Sequence, residues 1–232
     1  VDERTRAQLK FATSGFVDAM SPSNFAVTSP EVIEKTIETR GQNLLTGLTN
    51  MLSDIGRGQV THTDGTAFEV GRNLAATPGK VVKRSALYEL IQYAPTTDTV
   101  LEIPLLIFPP WINRFYILDL TPEKSFIRWA VEQGLSVFVV SWKSADASMK
   151  DVTWDDYVVR GQIDAIDTVR EALGVESVHA IGYCVAGTTL AATLALLTAR
   201  GEAAKVATAT FFTAQVDFSE AGELSLFVDD EQ

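Results

Sequence analysis

The turn around the only cysteine of the chain is the part of the sequence whose residues could do chemistry. Residues 178–181 predict a short strand and residues 185–199 predict a helix. Cys184 therefore lies at the tip of a strand-to-helix turn that also carries Gly182 and Gly187. This layout is typical of a nucleophile elbow, a strained turn that holds a nucleophile above the carboxyl edge of a sheet. We predict that Cys184 is a nucleophile.

The residues beside Cys184 suit a thiolate. The N-terminus of the following helix would favour the charged sulfur, and the Val185 amide would point at an oxyanion. Ala186 occupies the second glycine position of the G-x-S-x-G pattern, and Gly187 comes one place later. Small residues are needed there because the turn brings strand and helix backbones together. The alternative is a buried cysteine beside an ordinary glycine turn.

A second oxyanion donor is predicted in residues 109–113. This loop follows the apolar run Leu105–Phe108, which predicts a strand buried on both faces. In α/β-hydrolases the loop at this place supplies the second oxyanion amide, so the backbones of Trp111 and Ile112 are the candidates. The alternative is a rigid proline turn capped by a packed tryptophan.

A cysteine nucleophile also needs a base, and both histidines precede Cys184. His179 lies five residues earlier in the same strand, roughly 16 Å away along an extended chain, and His62 lies in a polar loop. Both are predicted to be structural or solvated. Asp217 is the candidate acid after the last strand, although a solvated loop aspartate is the commoner role. We expect the sequence to be cut before its base; the alternative is that the elbow is a relic.

The N-terminal residues 1–58 are predicted to form a separate all-helical segment, either a subdomain or an oligomer-forming arm. Residues 2–20 have a helical pattern, and a long helix begins with Ser29 as N-cap and Pro30 behind it. It ends at residues 56–58. Its apolar face is formed by Ile33, Ile37, Leu44, Leu48, Met51 and Ile55.

Residues 59–232 alternate strands and helices, which predicts an α/β domain with a mostly parallel sheet. After a polar loop to residue 80, the predicted strands are 81–83, 87–93, 105–108, 137–140, 178–181 and 206–212, and the first two have the pattern of edge strands. The predicted helices run from Thr121, as N-cap, to Gly134, from Thr153 to Gly174, and over 185–199.

Composition excludes several classes of function. The net charge of −11 argues against nucleic acid as a partner. The longest apolar run, around Pro104 to Ile112, is far shorter than the roughly 18 residues of a membrane span, and the charged start predicts no signal peptide. A single cysteine agrees with a reducing, cytoplasmic setting. Since no Walker loop, dinucleotide fingerprint or metal-ligand cluster is visible, we predict no cofactor.

Six phrases spread along the chain resemble the polyhydroxyalkanoate synthases, which polymerise 3-hydroxyacyl-CoA into storage polyester. They are DAMSPSNF at residues 18–25, FEVGRN at 68–73, LIQY at 90–93, PPWINRFYILDL at 109–120, VSW at 140–142 and GYCVAG at 182–187. The helices ahead of the sheet resemble the single-component synthases. The chain thus resembles the N-terminal region and first half of the catalytic α/β-hydrolase domain, incomplete at its C-terminal side.

The resemblance implies that Cys184 is the thiol that carries the acyl group and the growing polyester. The family's catalytic aspartate and histidine have no matching positions before Gln232, so we expect these 232 residues to be inactive alone. It further implies a homodimer at the surface of polyester granules in the cytoplasm, with 3-hydroxyacyl-CoA as substrate. The alternatives are a thioesterase or esterase, and a non-catalytic module for dimerisation or granule binding.

Overall fold

The computed structural model describes residues 1–62 and 64–227, and these form two compact units. One unit contains Val1–Gly65 together with residues 218–227, and the other is Thr66–Asp217. The predicted domains 1–58 and 59–232 remain a prediction. All four tryptophans of the sequence, at positions 111, 129, 142 and 154, lie in the second unit.

The first unit is helical, as predicted. Its helices are α1 (Glu3–Ala19), α2 (Pro30–Glu38) and α3 (Gln42–Arg57), with short 3-10 turns at Pro22–Asn24 and Gly222–Phe227. Asp2 caps α1 by accepting a hydrogen bond from the Thr5 amide at 2.9 Å. Within the two described stretches of chain, no helix combines the length and apolar character needed to cross a bilayer.

The single long helix predicted from residue 29 is wrong, because the chain breaks between α2 and α3. Arg40 and Gly41 have φ angles of 51° and 84°, and two consecutive left-handed residues cannot continue a right-handed helix. Side-chain hydrogen bonds stabilise the break. The Asn43 Nδ2 donates to the Thr36 hydroxyl at 3.0 Å, and the Thr39 hydroxyl donates to the Asn43 Oδ1 at 2.9 Å. Ser29 caps α2 by position but makes no capping bond with its side chain.

The second unit is built on a six-stranded sheet. Its strands are β1 (Gly79–Arg84), β2 (Tyr88–Tyr93), β3 (Leu105–Phe108), β6 (Val137–Trp142), β7 (Val178–Tyr183) and β8 (Val206–Phe212). They lie in the order β1-β2-β6-β3-β7-β8. The pairings of β6, β3, β7 and β8 are parallel, whereas β2 is antiparallel to both of its neighbours. The mostly parallel sheet is therefore confirmed. Contrary to prediction, β2 is an inner strand, and only β1 lies at that edge.

Alternate residues of the central strands face two separate hydrophobic clusters, as a strand period of two requires. One cluster joins Ile107 and Ile181 to helix α4 (Phe126–Glu132). The other joins Leu106 and Ala180 to the elements on the opposite face. These are a π-helical stretch that we call the π segment (Tyr157–Ile163), α6 (Asp164–Leu173) and α7 (Val185–Ala199). A short helix, α5 (Trp154–Asp156), leads into the π segment.

The predicted N-cap of α4 is wrong. Thr121 ends a short strand, β4 (Asp119–Thr121), which turns through Pro122 into β5 (Lys124–Ser125). The cap is Ser125, whose hydroxyl accepts a hydrogen bond from the Arg128 amide at 2.9 Å. The hydroxyl of Ser125 also donates to the buried Asp119 carboxylate. The bond between Ser125 and Asp119 fixes the cap at Ser125. A Thr-Pro pair also occurs in turns, so Thr121 and Pro122 do not show where α4 begins.

A polar brace ties the sheet to α6. The Tyr88 hydroxyl donates to the Asp164 carboxylate at 2.6 Å, and Lys83 binds the same oxygen at 2.7 Å. Burial, together with the hydrogen bond to Asp164, raises the pKa of the Tyr88 phenol above its usual range. Tyr88 therefore stays protonated and keeps donating throughout the physiological range.

Candidate active site

Cys184 occupies the tip of the turn between β7 and α7, as predicted. Its backbone has φ 56° and ψ −128°, a conformation that a non-glycine residue adopts only under constraint. Three hydrogen bonds supply that constraint. Its N–H donates to the Phe212 carbonyl at 2.8 Å, and its own carbonyl accepts from the amides of Gly187 and Thr188 at 2.8 and 3.2 Å. The thiol is free and half-buried.

The two glycines of the turn permit a close approach between strand and helix. A Cβ added to Gly182 would lie 2.6 Å from the Cα of Gly187. A Cβ added to Gly187 would lie 2.5 Å from the Ala214 Cβ and 2.7 Å from the Gly182 carbonyl oxygen. Ala186 is fully buried and is accommodated. The tightest contact therefore falls at position 187, one residue after the second glycine of the G-x-S-x-G pattern. This explains why the glycine stands at 187 and alanine at 186.

The loop at residues 109–113 lies next to this turn, because β3 and β7 are parallel neighbours with Phe108 paired to Gly182. Trp111 packs inward and stacks on Tyr157 with ring centroids 4.3 Å apart. Ile112 is 77% exposed. The loop is thus a proline turn with a packed tryptophan and also a neighbour of the elbow. The oxyanion roles of Ile112 and Val185 remain predictions.

The structure places neither histidine in a triad with Cys184. His179 lies near the amino end of β7, and its Nδ1 shares a 2.7 Å hydrogen bond with the Thr208 hydroxyl on β8. His62 is exposed and belongs to the helical unit. Asp217 is exposed, and its role as an acid remains a prediction. Across residues 1–62 and 64–227, no group of three His, Cys, Asp or Glu side chains could hold a metal ion.

One polar group beside the elbow was missed from the sequence. Gln162 in the π segment is fully buried, and its Nε2 donates to the Ala186 carbonyl at 2.9 Å. Its Oε1 accepts from the Thr193 hydroxyl at 2.7 Å. The available signal was a glutamine with apolar residues four positions before and after it, Val158 and Ile166, which is the spacing of a buried helix face.

Comparison with known proteins identifies the family. Residues 1–130 match the model described as the N-terminus of poly-β-hydroxybutyrate polymerase (PhaC). The chain is 48% identical over 229 residues to the poly(3-hydroxyalkanoate) polymerase subunit PhaC of Cupriavidus necator, covering 99% of this chain and 39% of that protein. It is 49% identical over 236 residues to the poly(3-hydroxyalkanoate) polymerase of Methylorubrum extorquens, covering 100% and 39%. The chain thus spans about two fifths of the length of the curated relatives that it matches.

Solved structures similar to the chain include two esterases, each 15% identical to it. A fungal esterase from Rhizomucor miehei has a TM-score of 0.43, covering 69% of this chain and 55% of that one. Brefeldin A esterase, a bacterial homologue of human hormone-sensitive lipase, has a TM-score of 0.38, covering 70% and 45%.

The strand order, the antiparallel β2 and the turn between β7 and α7 make the second unit an α/β-hydrolase fold, as predicted. Together with the match over residues 1–130 and the identity along the whole chain, they lead to one assignment. The chain belongs to the poly-β-hydroxybutyrate polymerase (PhaC) family.

Proposed function

We propose that this chain carries the nucleophile of an acyltransferase that polymerises 3-hydroxyacyl-CoA into polyhydroxyalkanoate. The observation that carries the proposal is Cys184 at the tip of the turn between β7 and α7, held at φ 56° by three backbone hydrogen bonds. The names of the relatives supply the substrate class, since the curated proteins are poly(3-hydroxyalkanoate) polymerases. The activity is proposed for a polymerase of the relatives' full length.

The chemistry begins with attack of the Cys184 thiolate on the thioester carbonyl carbon of 3-hydroxyacyl-CoA. The carbonyl becomes an oxyanion, which the amides of Val185 and Ile112 would stabilise by about 3 kcal/mol each. Val185 is suited to this because the first amides of a helix have no intrahelical acceptor. The carbon–sulfur bond to CoA then breaks, and CoA leaves as a thiolate that takes up a proton.

Chain growth requires a second transfer. The hydroxyl of another 3-hydroxyacyl unit attacks the acyl carbon, a carbon–oxygen bond forms, and the bond to the Cys184 sulfur breaks. Cysteine suits both transfers, since a thiolate is a strong nucleophile and also a good leaving group. No oxidation occurs, so the proposed reaction needs no cofactor.

The hydroxyl must give its proton to a base, and neither histidine of this chain is placed for that role. His179 is bonded to Thr208 near the other end of β7, and His62 is exposed. We therefore propose that the 232 residues alone do not turn over. We also propose that the base is supplied by a part of the polymerase that these residues do not include.

The reaction product tests the proposal. The test uses a hybrid polymerase in which this chain replaces the matching segment of the Cupriavidus necator relative. With 3-hydroxybutyryl-CoA, CoA release should be accompanied by polymer, measured by gas chromatography after methanolysis. Free 3-hydroxybutyrate as the main product would contradict the proposal and favour a thioesterase or esterase. The 232-residue chain is the control, and it should release no CoA over many turnovers.

A second function, association, is favoured by the exposed apolar face of the helical unit. Leu44, Leu48, Met51 and Ile55 follow one another at helical spacing on α3, and each is at least half exposed. Such a stripe is typical of an interface. We propose that it contributes to a homodimer and to contact with the polyester granule in the cytoplasm.

The stripe can be tested with charge. The double variant Leu48→Glu and Ile55→Glu should lower the mass measured by light scattering from dimer to monomer and reduce cosedimentation with polymer. The matched control, Thr46→Glu with Ser53→Glu, adds the same charge to the opposite side of α3 and should change neither. A monomeric unsubstituted chain that does not sediment with polymer would refute the association.

A further inference from the structure

The π segment contacts both loops that would supply the oxyanion donors. On one side, the fully buried Gln162 donates from Nε2 to the Ala186 carbonyl at 2.9 Å. Ala186 follows Val185 in the first turn of α7, two residues beyond Cys184. This hydrogen bond ties the first turn of α7, which begins at Val185, to the π segment.

On the other side, the π segment supports the loop after β3 through Trp142. A Cβ added to Gly161 would lie 2.8 Å from the Trp142 ring, so only glycine permits this contact. The Trp142 Nε1 in turn donates to the Pro109 carbonyl at 2.7 Å, in a buried bond. Tyr157, at the start of the same segment, stacks on Trp111. The loop that carries Ile112 is thereby held by two rings.

Neighbouring residues of the π segment reach opposite partners. Gly161 meets Trp142, while Gln162, the next residue, reaches α7. π-helical turns are frequent at functional sites. Thr193, also fully buried, donates to the Gln162 Oε1 at 2.7 Å and so orients the amide group of Gln162 toward Ala186.

We propose that Gln162 is a positioning residue for the oxyanion donors. The π segment sets the separation of the Val185 and Ile112 amides, because it is bonded to the first turn of α7 and packs against the loop after β3. The inference rests on the proposed function, because it concerns the oxyanion donors of the same site. Gln162 itself touches neither the sulfur nor the acyl group in this role. Misplacing one donor by about 1 Å can cost roughly 100-fold in rate.

The single cysteine allows a direct test on the 232-residue chain, with two reagents that differ in their need for an oxyanion hole. Acylation of Cys184 by p-nitrophenyl 3-hydroxybutyrate forms an oxyanion, and its rate is measured from the burst of nitrophenolate that it releases. Alkylation by iodoacetamide displaces iodide at a saturated carbon and develops no oxyanion. The acylation rate is divided by the alkylation rate, and the result is compared with the same quotient for a free thiol. The difference measures how much the oxyanion hole accelerates acylation. Cys184→Ala provides the background.

Gln162→Met, which keeps the length of the side chain and removes its donor, should slow acylation at least tenfold and leave alkylation within about twofold. Thr193→Val keeps the Gln162 donor but removes the bond that orients it, so it should cause the same selective loss of acylation to a smaller extent. Trp142→Phe, which removes the bond to Pro109, should reproduce the selective loss. It provides the test if Gln162→Met fails to fold.

Two results would overturn the positioning role: an unchanged acylation rate in the variants, or a parallel fall of both rates, which indicates a purely structural role. Failure of the proposed function looks different. In that case the unsubstituted chain would show no acylation advantage over a free thiol, whatever stands at position 162.

Discussion

Replacing Cys184 by alanine is expected to reduce CoA release by the hybrid polymerase at least about 10⁴-fold, because the variant has no atom that can form the acyl intermediate. The turn itself should survive the change, since its conformation is fixed by backbone bonds to Phe212, Gly187 and Thr188. Loss of activity can then be assigned to the sulfur. CoA release is measured continuously with a thiol reagent, and polymer is measured at the end of the reaction.

Cys184→Ser separates shape from chemistry in the same assay. Serine keeps the size of the side chain, but its hydroxyl is a much weaker nucleophile than a thiolate unless a base takes its proton. We expect slow CoA release from the serine variant and none from the alanine variant. Normal CoA release from Cys184→Ala would refute Cys184 as the nucleophile and leave the elbow as a structural turn.

The buried sheet and the elbow could be predicted because their signals are local. Helix α7 and strand β8 were predicted with the bounds that the structure shows, Val185–Ala199 and Val206–Phe212. Runs such as Leu105–Phe108 are apolar on both faces, and only a central strand buries them fully. The glycines beside Cys184 predict a tight turn because Gly182 and Gly187, both within the motif, approach each other too closely for a Cβ on Gly182.

The remaining features depend on particular side-chain contacts, which periodicity does not report. The cap of α4 depends on Ser125, which is fixed by the buried Asp119. The break at Gly41 interrupts an apolar pattern that continues on both sides of it, so the pattern alone favours one helix. Gln162 gains its role only because Ala186, 24 residues later, folds back onto it.

The second large effect is expected for Gly187→Ala. By helix propensity alone, alanine at this position of α7 would stabilise the protein by about 1 kcal/mol. The added Cβ would, however, lie 2.5 Å from the Ala214 Cβ and 2.7 Å from the Gly182 oxygen, and one of these is backbone. Overpacking of this kind costs about 1–3 kcal/mol or more. Because a backbone oxygen cannot move aside, the cost lies at the upper end of this range, and we expect a net loss of about 2 kcal/mol, or roughly 4–8 °C in Tm for a unit of this size.

Tryptophan fluorescence measures this loss in the right part of the molecule, because all four tryptophans lie in Thr66–Asp217. Gly47→Ala is the control for the substitution itself: Gly47 is also helical, a Cβ there meets nothing within 4 Å, and the midpoint should not fall. It is followed by far-UV circular dichroism, because Gly47 lies in the unit without tryptophan. Adding Ala214→Gly to Gly187→Ala removes the tightest contact but leaves the one with the Gly182 oxygen. That double variant should recover only part of the loss. Full recovery would assign the need for glycine to Ala214, whereas an unchanged midpoint in Gly187→Ala would show that the elbow tolerates a Cβ at the displaced position.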